Sequence, residues 1–500
     1  MTTHEKQNLQ QQQLFSKLWD ISNTLLGTME PSEYNVQYII EKDLKIEGID
    51  YQTALTNEKY RNYFLEVLYD NDSAVYYIEP EYLWQEIINK INIGKFDIFL
   101  LRKAFKNLPK TGHLSEKEFE NLFDSVDLDY SKLGKTETEK SKIIAKVMLK
   151  INEINFEINE SEIDILGDAY EYLISKFASE SVKEAGEFYT PQPVSKLLAK
   201  LVSQKKAEIK TVYDPTCGSG SLLLRVYKEL KIGYLYGQEL KKNSYNIARM
   251  NMMLHGLKYN KFDIYNGDTL EDDGFKRQQF EIIVANPSYS THWSANQKFL
   301  SDERFSAYGK LAPKTKADFA FIQNMIYKLS DNGVMAVVIP HGILFRGNAE
   351  LIIRKYMVKK NWIDTIISLP ANMFYGTSIP TCIIVIKKCK IDNSIFFIDA
   401  SKEFKKQGNK NALTDENIIK IINIFNKRKT IDKFSNLIDI EIIKENDYNL
   451  NIDRYIDNTK EKEIINIKEL QNKLINNKKE IQKLDEEFNL MLKDLVINNE

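Results

Sequence analysis

The chain has 500 residues, of which 43% are hydrophobic and 28% charged, and its 69 Lys and Arg nearly balance 71 Asp and Glu. This length predicts two or three domains. The net charge of −2 excludes the uniformly basic surface of a protein that binds nucleic acid on its own, so any basic surface is local or is supplied by a partner. The cysteines and histidines lack disulfide and metal-ligand spacing, and no apolar stretch can span a bilayer, so we expect a cytoplasmic protein with no metal site and no membrane segment.

The first 165 residues are predicted to be mainly helical, after a Gln-rich start that does not resemble a signal peptide. Lys, Glu, Leu and Ile are abundant here, and Ile98, Leu101, Phe105 and Leu108 have helical spacing. No group of residues in this part indicates a chemistry. We therefore expect residues 1–165 to form a helical scaffold or docking domain.

A turn-rich loop at residues 185–194 (AGEFYTPQPV) follows this helical part. It carries an acid and two aromatic residues and leads into a new helix, so one interpretation is a ligand clamp. Taken alone the pattern is weak, and an ordinary connecting loop is the stronger interpretation.

The strand, turn and helix that come next give a stronger signal. Residues 211–214 form a short predicted strand that ends at Asp214, and the turn Gly218-Ser219-Gly220-Ser221 opens a helix that reaches about residue 230. This is nucleotide-binding geometry, because glycines let the backbone approach a ligand and the helix N-terminus presents free N–H groups. No lysine follows the second glycine, so the turn is not the phosphate loop of nucleoside triphosphatases.

Two further predicted strands end in polar residues. Residues 234–238 lead to Glu239, which lies about twenty residues beyond the glycine turn and is placed to bind ribose hydroxyls. Residues 262–266 are followed by Gly267 and Asp268. A cap or a turn would explain one such strand end, but three in succession favour a ligand site.

The stretch 280–289 (FEIIVANPSY) is an apolar, β-branched run that stops at Asn286-Pro287-Ser288-Tyr289. Such a run predicts a buried strand, and in open α/β sheets ligands bind beyond the carboxyl ends of the strands. An amide, a proline and an aromatic ring at this place suit a flat, amino-bearing group, held by hydrogen bonds and stacking.

The chain then continues as an alternating α/β domain. A long polar and aromatic loop (290–313) leads into a helix to residue 329, and a second helix is predicted at 349–359. His341 could be a catalytic base, but a histidine that orients its loop is the preferred interpretation. The remaining predicted strands are residues 334–339, 363–369, 381–387 and 395–399.

From about residue 401 the chain is rich in Lys and Asn and is predicted to be helical. Near its end, apolar residues alternate spacings of three and four around a single polar Asn477, which is a heptad seam. A lone helix cannot bury this seam, so it packs on its own domain or, as we favour, on another subunit. The seam consists of Ile467, Leu470, Leu474, Asn477, Ile481, Leu484, Phe488, Met491 and Leu495.

Together these motifs resemble the modification (methyltransferase) subunit of type I restriction-modification systems, over nearly the whole chain. The resemblance implies a Rossmann-like α/β methyltransferase domain (166–400) between an N-terminal helical domain (1–165) and a C-terminal helical tail for subunit docking (401–500). It rests on residues 186–191 (GEFYTP), 214–224 (DPTCGSGSLLL), 237–240, 285–290, 308–319 (YGKLAPKTKADF), 340–347 (PHGILFRG), 369–382 (LPANMFYGTSIPTC) and 447–455 (DYNLNIDRY).

The resemblance implies transfer of a methyl group from S-adenosylmethionine (AdoMet) to N6 of adenine in double-stranded DNA. It also implies assembly with a specificity subunit and a second modification subunit, with a motor-nuclease restriction subunit as an optional addition. The glycine turn would meet the methionine portion of AdoMet, Glu239 the ribose and Asp268 the adenine. The implied cofactor-binding residues are Glu187, Phe188, Tyr189, Thr190, Pro191, Gln192, Asp214, Gly218, Ser219, Gly220, Ser221, Glu239 and Asp268.

The tetrad itself agrees with that chemistry. The Asn286 side-chain oxygen and the Pro287 carbonyl can accept both N–H bonds of an adenine amino group, which is a poor nucleophile because its lone pair is delocalised into the ring. This is catalysis by positioning and electrostatics, with Tyr289 stacked on a base flipped out of the duplex. The tetrad has no cysteine, which disfavours methylation of cytosine C5.

Ser288 stands where the tetrad of the family usually has a second proline. Two alternatives remain open at this point. One is a subunit that binds AdoMet and assembles but has weak or no transfer activity. The other is a methyltransferase that uses the same kind of tetrad on a protein glutamine or on RNA.

Overall fold

The computed structural model describes residues 80–82, 84–107, 120–124, 126–153, 172–174, 190–203, 208–257, 259–374, 377–457 and 467–497. The chain divides into two compact units, Met1–Ile456 and Asp457–Glu500. The first unit contains every strand described below.

The strands that the structure describes alternate with helices over most of the first unit. They are β1 (Glu208–Asp214), β2 (Lys231–Glu239), β3 (Phe262–Asn266), β4 (Phe280–Ala285), β5 (Leu329–Pro340), β6 (Ile363–Ser368), β7 (Thr381–Lys387), β8 (Ser394–Asp399), β9 (Lys405–Gln407), β10 (Lys410–Ala412) and β11 (Ser435–Asp439).

Nine of these strands form one sheet in the order β3-β2-β1-β4-β5-β7-β6-β8-β11, and β9 and β10 form a separate hairpin. The run from β3 to β5 is parallel, whereas β7 is antiparallel to both β5 and β6. The chain leaves β1 toward β2 on one side and returns to β4 on the other. The switch point, where α/β sheets bind ligands, therefore lies between the carboxyl ends of β1 and β4.

Helices cover both faces of this sheet. The helices of the first unit that the structure describes are α1 (Trp84–Asn92), α2 (Ile98–Asn107), α3 (Glu137–Asn152), α4 (Gln192–Val202), α5 (Ser221–Glu229), α6 (Lys242–Leu254), α7 (Asp318–Lys328), α8 (Asn348–Lys359), α9 (Asp415–Lys427) and α10 (Ile440–Glu445). The second unit contains α11 (Ile467–Ile497).

Strand β4 shows why the sheet is buried on both sides. Ile283 and Ala285 pack into the core that contains α7 and α8, and Ile282 and Val284 pack into the core that contains α4, α5, α6 and α9. Successive side chains of a strand point to opposite faces, so an unbroken apolar run fits only a strand covered on both. Each fully buried Ile or Val contributes about 1.5–3 kcal/mol, which anchors the residues after Ala285.

The predicted helices and strands of the α/β domain are confirmed where the structure describes them, with ends that differ by a few residues. The prediction of a helical chain from residue 401 is wrong for β9, β10 and β11. Gly408 has φ +58° and turns the hairpin, and β11 joins the main sheet by pairing with β8. The expected domain boundaries stay a prediction.

The helical character predicted for the N-terminal part is confirmed for α1, α2 and α3. Ile98 and Leu101 are buried as their spacing predicted, whereas Leu108 lies outside the described residues. Thr136 and Glu139 form a capping box at the start of α3. The Arg249 guanidinium of α6 donates to the Glu120 carbonyl at 2.9 Å, which ties this part to the α/β body.

The predicted terminal helix is confirmed as α11, which is 31 residues long. Its seam side chains Leu474, Ile481, Leu484, Phe488 and Met491 are 58–66% exposed within the chain. Among the described residues, no helix combines the length and the apolar character that crossing a membrane requires.

Candidate active site

The carboxyl ends of three neighbouring strands bring predicted site residues to one edge of the sheet. Asp214 ends β1, Glu239 ends β2 and Asn286 follows β4, and β1 lies between the other two strands. Residues up to 72 positions apart in the sequence thus meet at the switch point.

The glycine turn is folded onto Glu239. Gly218 and Gly220 adopt φ values of +54° and +77°, which favour glycine. The Gly218 N–H donates to one Glu239 carboxylate oxygen at 3.0 Å, and the Lys241 N–H donates to the other at 2.9 Å. A Cβ on Gly220 would lie 2.9 Å from the Met252 methyl carbon. The turn is therefore closely packed against Met252 of α6, and the Glu239 carboxylate lies next to it.

The two aspartates at this edge bind nearby backbone. Asp214 is buried and accepts from the Thr216 N–H at 2.9 Å, and burial raises the pKa of its carboxyl to about 8. Asp268 is half-buried and accepts from the Leu270 N–H at 2.9 Å. Asp214 thus binds the backbone that leads into the glycine turn, and the role of each aspartate in cofactor binding stays a prediction.

The amide of Asn286 is held on both sides. Its Nδ2 donates to the Thr190 hydroxyl at 3.2 Å, across 96 residues of sequence. Its Oδ1 accepts from the Tyr289 hydroxyl at 2.7 Å. The tetrad is therefore tied directly to the end of the GEFYTP loop.

That loop continues into α4, where Pro191 is the N-cap and a proline occupies the first turn, as helices tolerate. The side chain of Gln192 accepts from the Arg225 guanidinium of α5. Glu187, Phe188 and Tyr189 lie outside the described residues.

The ring of Tyr289 lies against Phe374, with centroids 5.7 Å apart and planes at 87°. Burial raises the pKa of the Tyr289 hydroxyl well above its usual value. The phenol is therefore neutral at physiological pH and donates to Asn286. Phe374 was not among the predicted site residues, because 85 positions separate it from Tyr289.

A buried ion pair fixes the backbone just after the tetrad. The Ser290 N–H donates to Asp318 Oδ1 at 2.8 Å, and the Arg346 guanidinium donates to Asp318 Oδ2 at 2.9 Å. Asp318 is 1% exposed, and Arg346 also pairs with Glu350 at 2.9 Å. The sequence analysis identified the two motifs that contain Asp318 and Arg346, KTKADF and PHGILFRG, but it did not predict that they are in contact.

A model of the N-6 DNA methylase family matches residues 161–464. The methylase subunit of the type I restriction enzyme MpnII from Mycoplasma pneumoniae is 34% identical, over 98% of this chain and 97% of that protein. The chain belongs to the type I methylase subunits of the N-6 DNA methylase family.

A second relative of this chain is the methylase subunit of the type I restriction enzyme MjaVII from Methanocaldococcus jannaschii. It is 33% identical over 84% of this chain and 72% of that protein. Among solved structures, the methyltransferase subunit of a type I restriction-modification system from Streptococcus thermophilus matches with a TM-score of 0.81. It is 40% identical and covers 89% of this chain and 100% of that one. The predicted fold and family are thereby confirmed.

His341 of the methylase subunit links three strand ends. Its Nε2 lies 3.0 Å from the Thr381 carbonyl and 3.3 Å from the Ser368 hydroxyl, and burial lowers the pKa of its imidazole. The side chain thus joins the ends of β5, β6 and β7, which agrees with the prediction of an orienting histidine.

Proposed function

We propose that this N-6 DNA methylase transfers the methyl group of AdoMet directly to N6 of an adenine flipped out of duplex DNA, with release of S-adenosylhomocysteine and of one N6 proton. The observation that carries the proposal is the Asn286 amide, held between Thr190 and Tyr289 at the switch point of the sheet. An amide fixed in this way can orient an incoming amino group without reorganising during the reaction.

The acceptors of the tetrad suit the adenine amino group. A carbonyl oxygen has two lone pairs, and the Tyr289 hydroxyl takes one of those on Asn286 Oδ1. The second lone pair accepts one N6–H, and the Pro287 carbonyl accepts the other. Drawing both N–H bonds to one side makes the nitrogen more pyramidal and aims its lone pair at the methyl donor.

The residues at the ends of β1 and β2 fit AdoMet. The turn of Gly218 and Gly220 has left-handed backbone that lets a ligand approach closely, and the Glu239 carboxylate beside it suits ribose hydroxyls. When bound, AdoMet supplies an electrophilic methyl group on a sulfonium. Thr190 connects the loop expected to cover the cofactor with the amide that holds the adenine.

Tyr289 would provide the stacking surface for the flipped base, since aromatic side chains hold extrahelical bases in this way. Phe374 packs nearly perpendicular to this ring. A neutral phenol is required here, because a phenolate could not donate to Asn286.

We further propose that α11 docks this methylase to a specificity subunit, which reads the DNA sequence, in an assembly with a second copy of the chain and optionally a restriction subunit. The exposed apolar side chains of α11 support this proposal. The net charge of −2 also supports it, because a chain without a basic excess binds the DNA backbone weakly on its own. The expected cytoplasmic location stays a prediction.

The test is to purify the chain with its specificity subunit, supply labelled AdoMet and map methylated bases in duplex DNA by sequencing. Label on adenine N6 within a defined motif is the expected result. AdoMet binding without transfer would favour the subunit that only assembles. Label in protein or RNA instead of DNA would favour the alternative substrates.

A further inference from the structure

The hairpin formed by β9 and β10 lies alongside the loop that follows β6. The Asn411 N–H of β10 donates to the Asn372 carbonyl of this loop at 3.1 Å, and β10 pairs with β9 on its other side. The hairpin is therefore ordered as loop, β10, β9, with β9 as the outer strand.

Lys410 fastens the hairpin to the loop. Its ammonium group donates to Asn372 Oδ1 at 3.0 Å, to the Phe374 carbonyl at 2.7 Å and to the Thr377 carbonyl at 3.2 Å. An ammonium has three donors, so all of them are used on the loop. The Asn411 side chain adds a bond to the Ala371 carbonyl at 2.8 Å.

The same loop presents Phe374 to the ring of Tyr289. A short path of contacts thus runs from Lys410 through Phe374 and Tyr289 to Asn286. A displacement of the hairpin would therefore shift Phe374 and Tyr289, and with them the Asn286 amide that is proposed to hold the adenine.

The outer strand carries two exposed positive charges. Lys405 and Lys406 are exposed, and neither forms an ion pair with any residue that the structure describes. Glu403, the nearest acid in the sequence, is engaged by Lys420 at 2.6 Å. By contrast, the exposed Lys231 is paired with Glu208.

We propose that the β9–β10 hairpin binds the DNA backbone beside the flipped adenine through Lys405 and Lys406, and that Lys410 couples this grip to the base site. The inference rests on the proposed function, because a base extruded into the site brings its flanking phosphates to the rim. Lysines contact phosphates without reading sequence, so they would position the duplex while a partner selects the motif.

The test compares the wild-type complex with Lys405→Gln/Lys406→Gln. The control, Lys261→Gln/Lys276→Gln, makes the same charge change at exposed lysines that precede β3 and β4, away from the carboxyl edge. DNA binding is measured by fluorescence anisotropy over a range of salt concentrations, together with AdoMet affinity and thermal stability.

Two phosphate contacts contribute about 1.8 to the slope of log K against log salt. The hairpin variant should therefore lose about 1.8 from this slope and bind DNA roughly 10-fold more weakly at moderate salt, with AdoMet affinity unchanged. A slope and affinity equal to those of the wild type, or an equal loss in the control, would overturn the proposal.

A second variant tests the coupling. Lys410→Met should lower kcat at saturating DNA while the salt slope stays at the wild-type value, because the loop already uses its ammonium group; an unchanged kcat would overturn the coupling. If the wild-type complex methylates no adenine and the hairpin variant still loses slope, the proposed function fails and the DNA contact stands.

Discussion

Removing the hydroxyl of Thr190 tests whether the cofactor loop positions the catalytic amide. Thr190→Val keeps the shape of the side chain but deletes the acceptor for Asn286 Nδ2. A neutral hydrogen bond contributes about 1 kcal/mol net. Asn286 is half-buried, so water can reach the amide and the larger penalty of a buried unpaired donor does not apply. The transition state should lose about 1 kcal/mol, which is roughly fivefold in rate.

The assay is single-turnover methylation at saturating AdoMet and DNA, with AdoMet affinity measured separately. Saturation matters because Thr190 is also a predicted cofactor contact. Thr190→Ser retains the hydroxyl and should restore most of the rate. A valine variant as fast as the wild type, or valine and serine variants that are equally slow, would refute the positioning role.

The remaining predictions concern the tetrad and its supports. Asn286→Ala should abolish methyl transfer while AdoMet binding, followed by titration, persists. Ser288→Pro should leave the transfer rate unchanged or raise it, since proline fixes φ; a large loss would show a role for the serine. Asp214 has its pKa raised from 3.8 to about 8, so its contribution to stability falls as pH rises between these values. Asp214→Asn should remove a decline in unfolding free energy of roughly 3 kcal/mol between pH 6 and 9, measured by denaturant titration. Asp318→Ala should destabilise the fold by about 1–3 kcal/mol, because the Arg346 guanidinium keeps Glu350 but loses the buried carboxylate to which it donates; an unchanged denaturation midpoint would contradict this.

Several parts of this methylase follow from local sequence. The apolar, β-branched run at residues 282–285 predicts a buried strand, and the structure confirms it as β4, which is covered on both faces. The glycine turn follows β1, Glu239 ends β2 and Asn286 follows β4. Parallel neighbours bring such strand ends together. The heptad spacing along α11 likewise indicates a helix, because such a repeat is a property of contiguous residues.

Other features depended on tertiary structure. The lysine-rich segment after residue 401 has the composition of a helix, yet pairing between residues 405–407 and 410–412 makes it a hairpin. Strand propensity there is weak, and the bonds from Lys410 and Asn411 to the loop after β6 favour the extended form. Only contacts between distant segments could decide this.

The site shows the same division. Local sequence determined that an amide, a proline and an aromatic ring follow β4, and that a glycine turn follows β1. Only the fold determined that Thr190 holds Asn286 and that Phe374 supports Tyr289. The physical reason is that a strand or a turn is encoded by adjacent residues, whereas a hydrogen bond across 96 residues exists only once the packed sheet brings its two ends together.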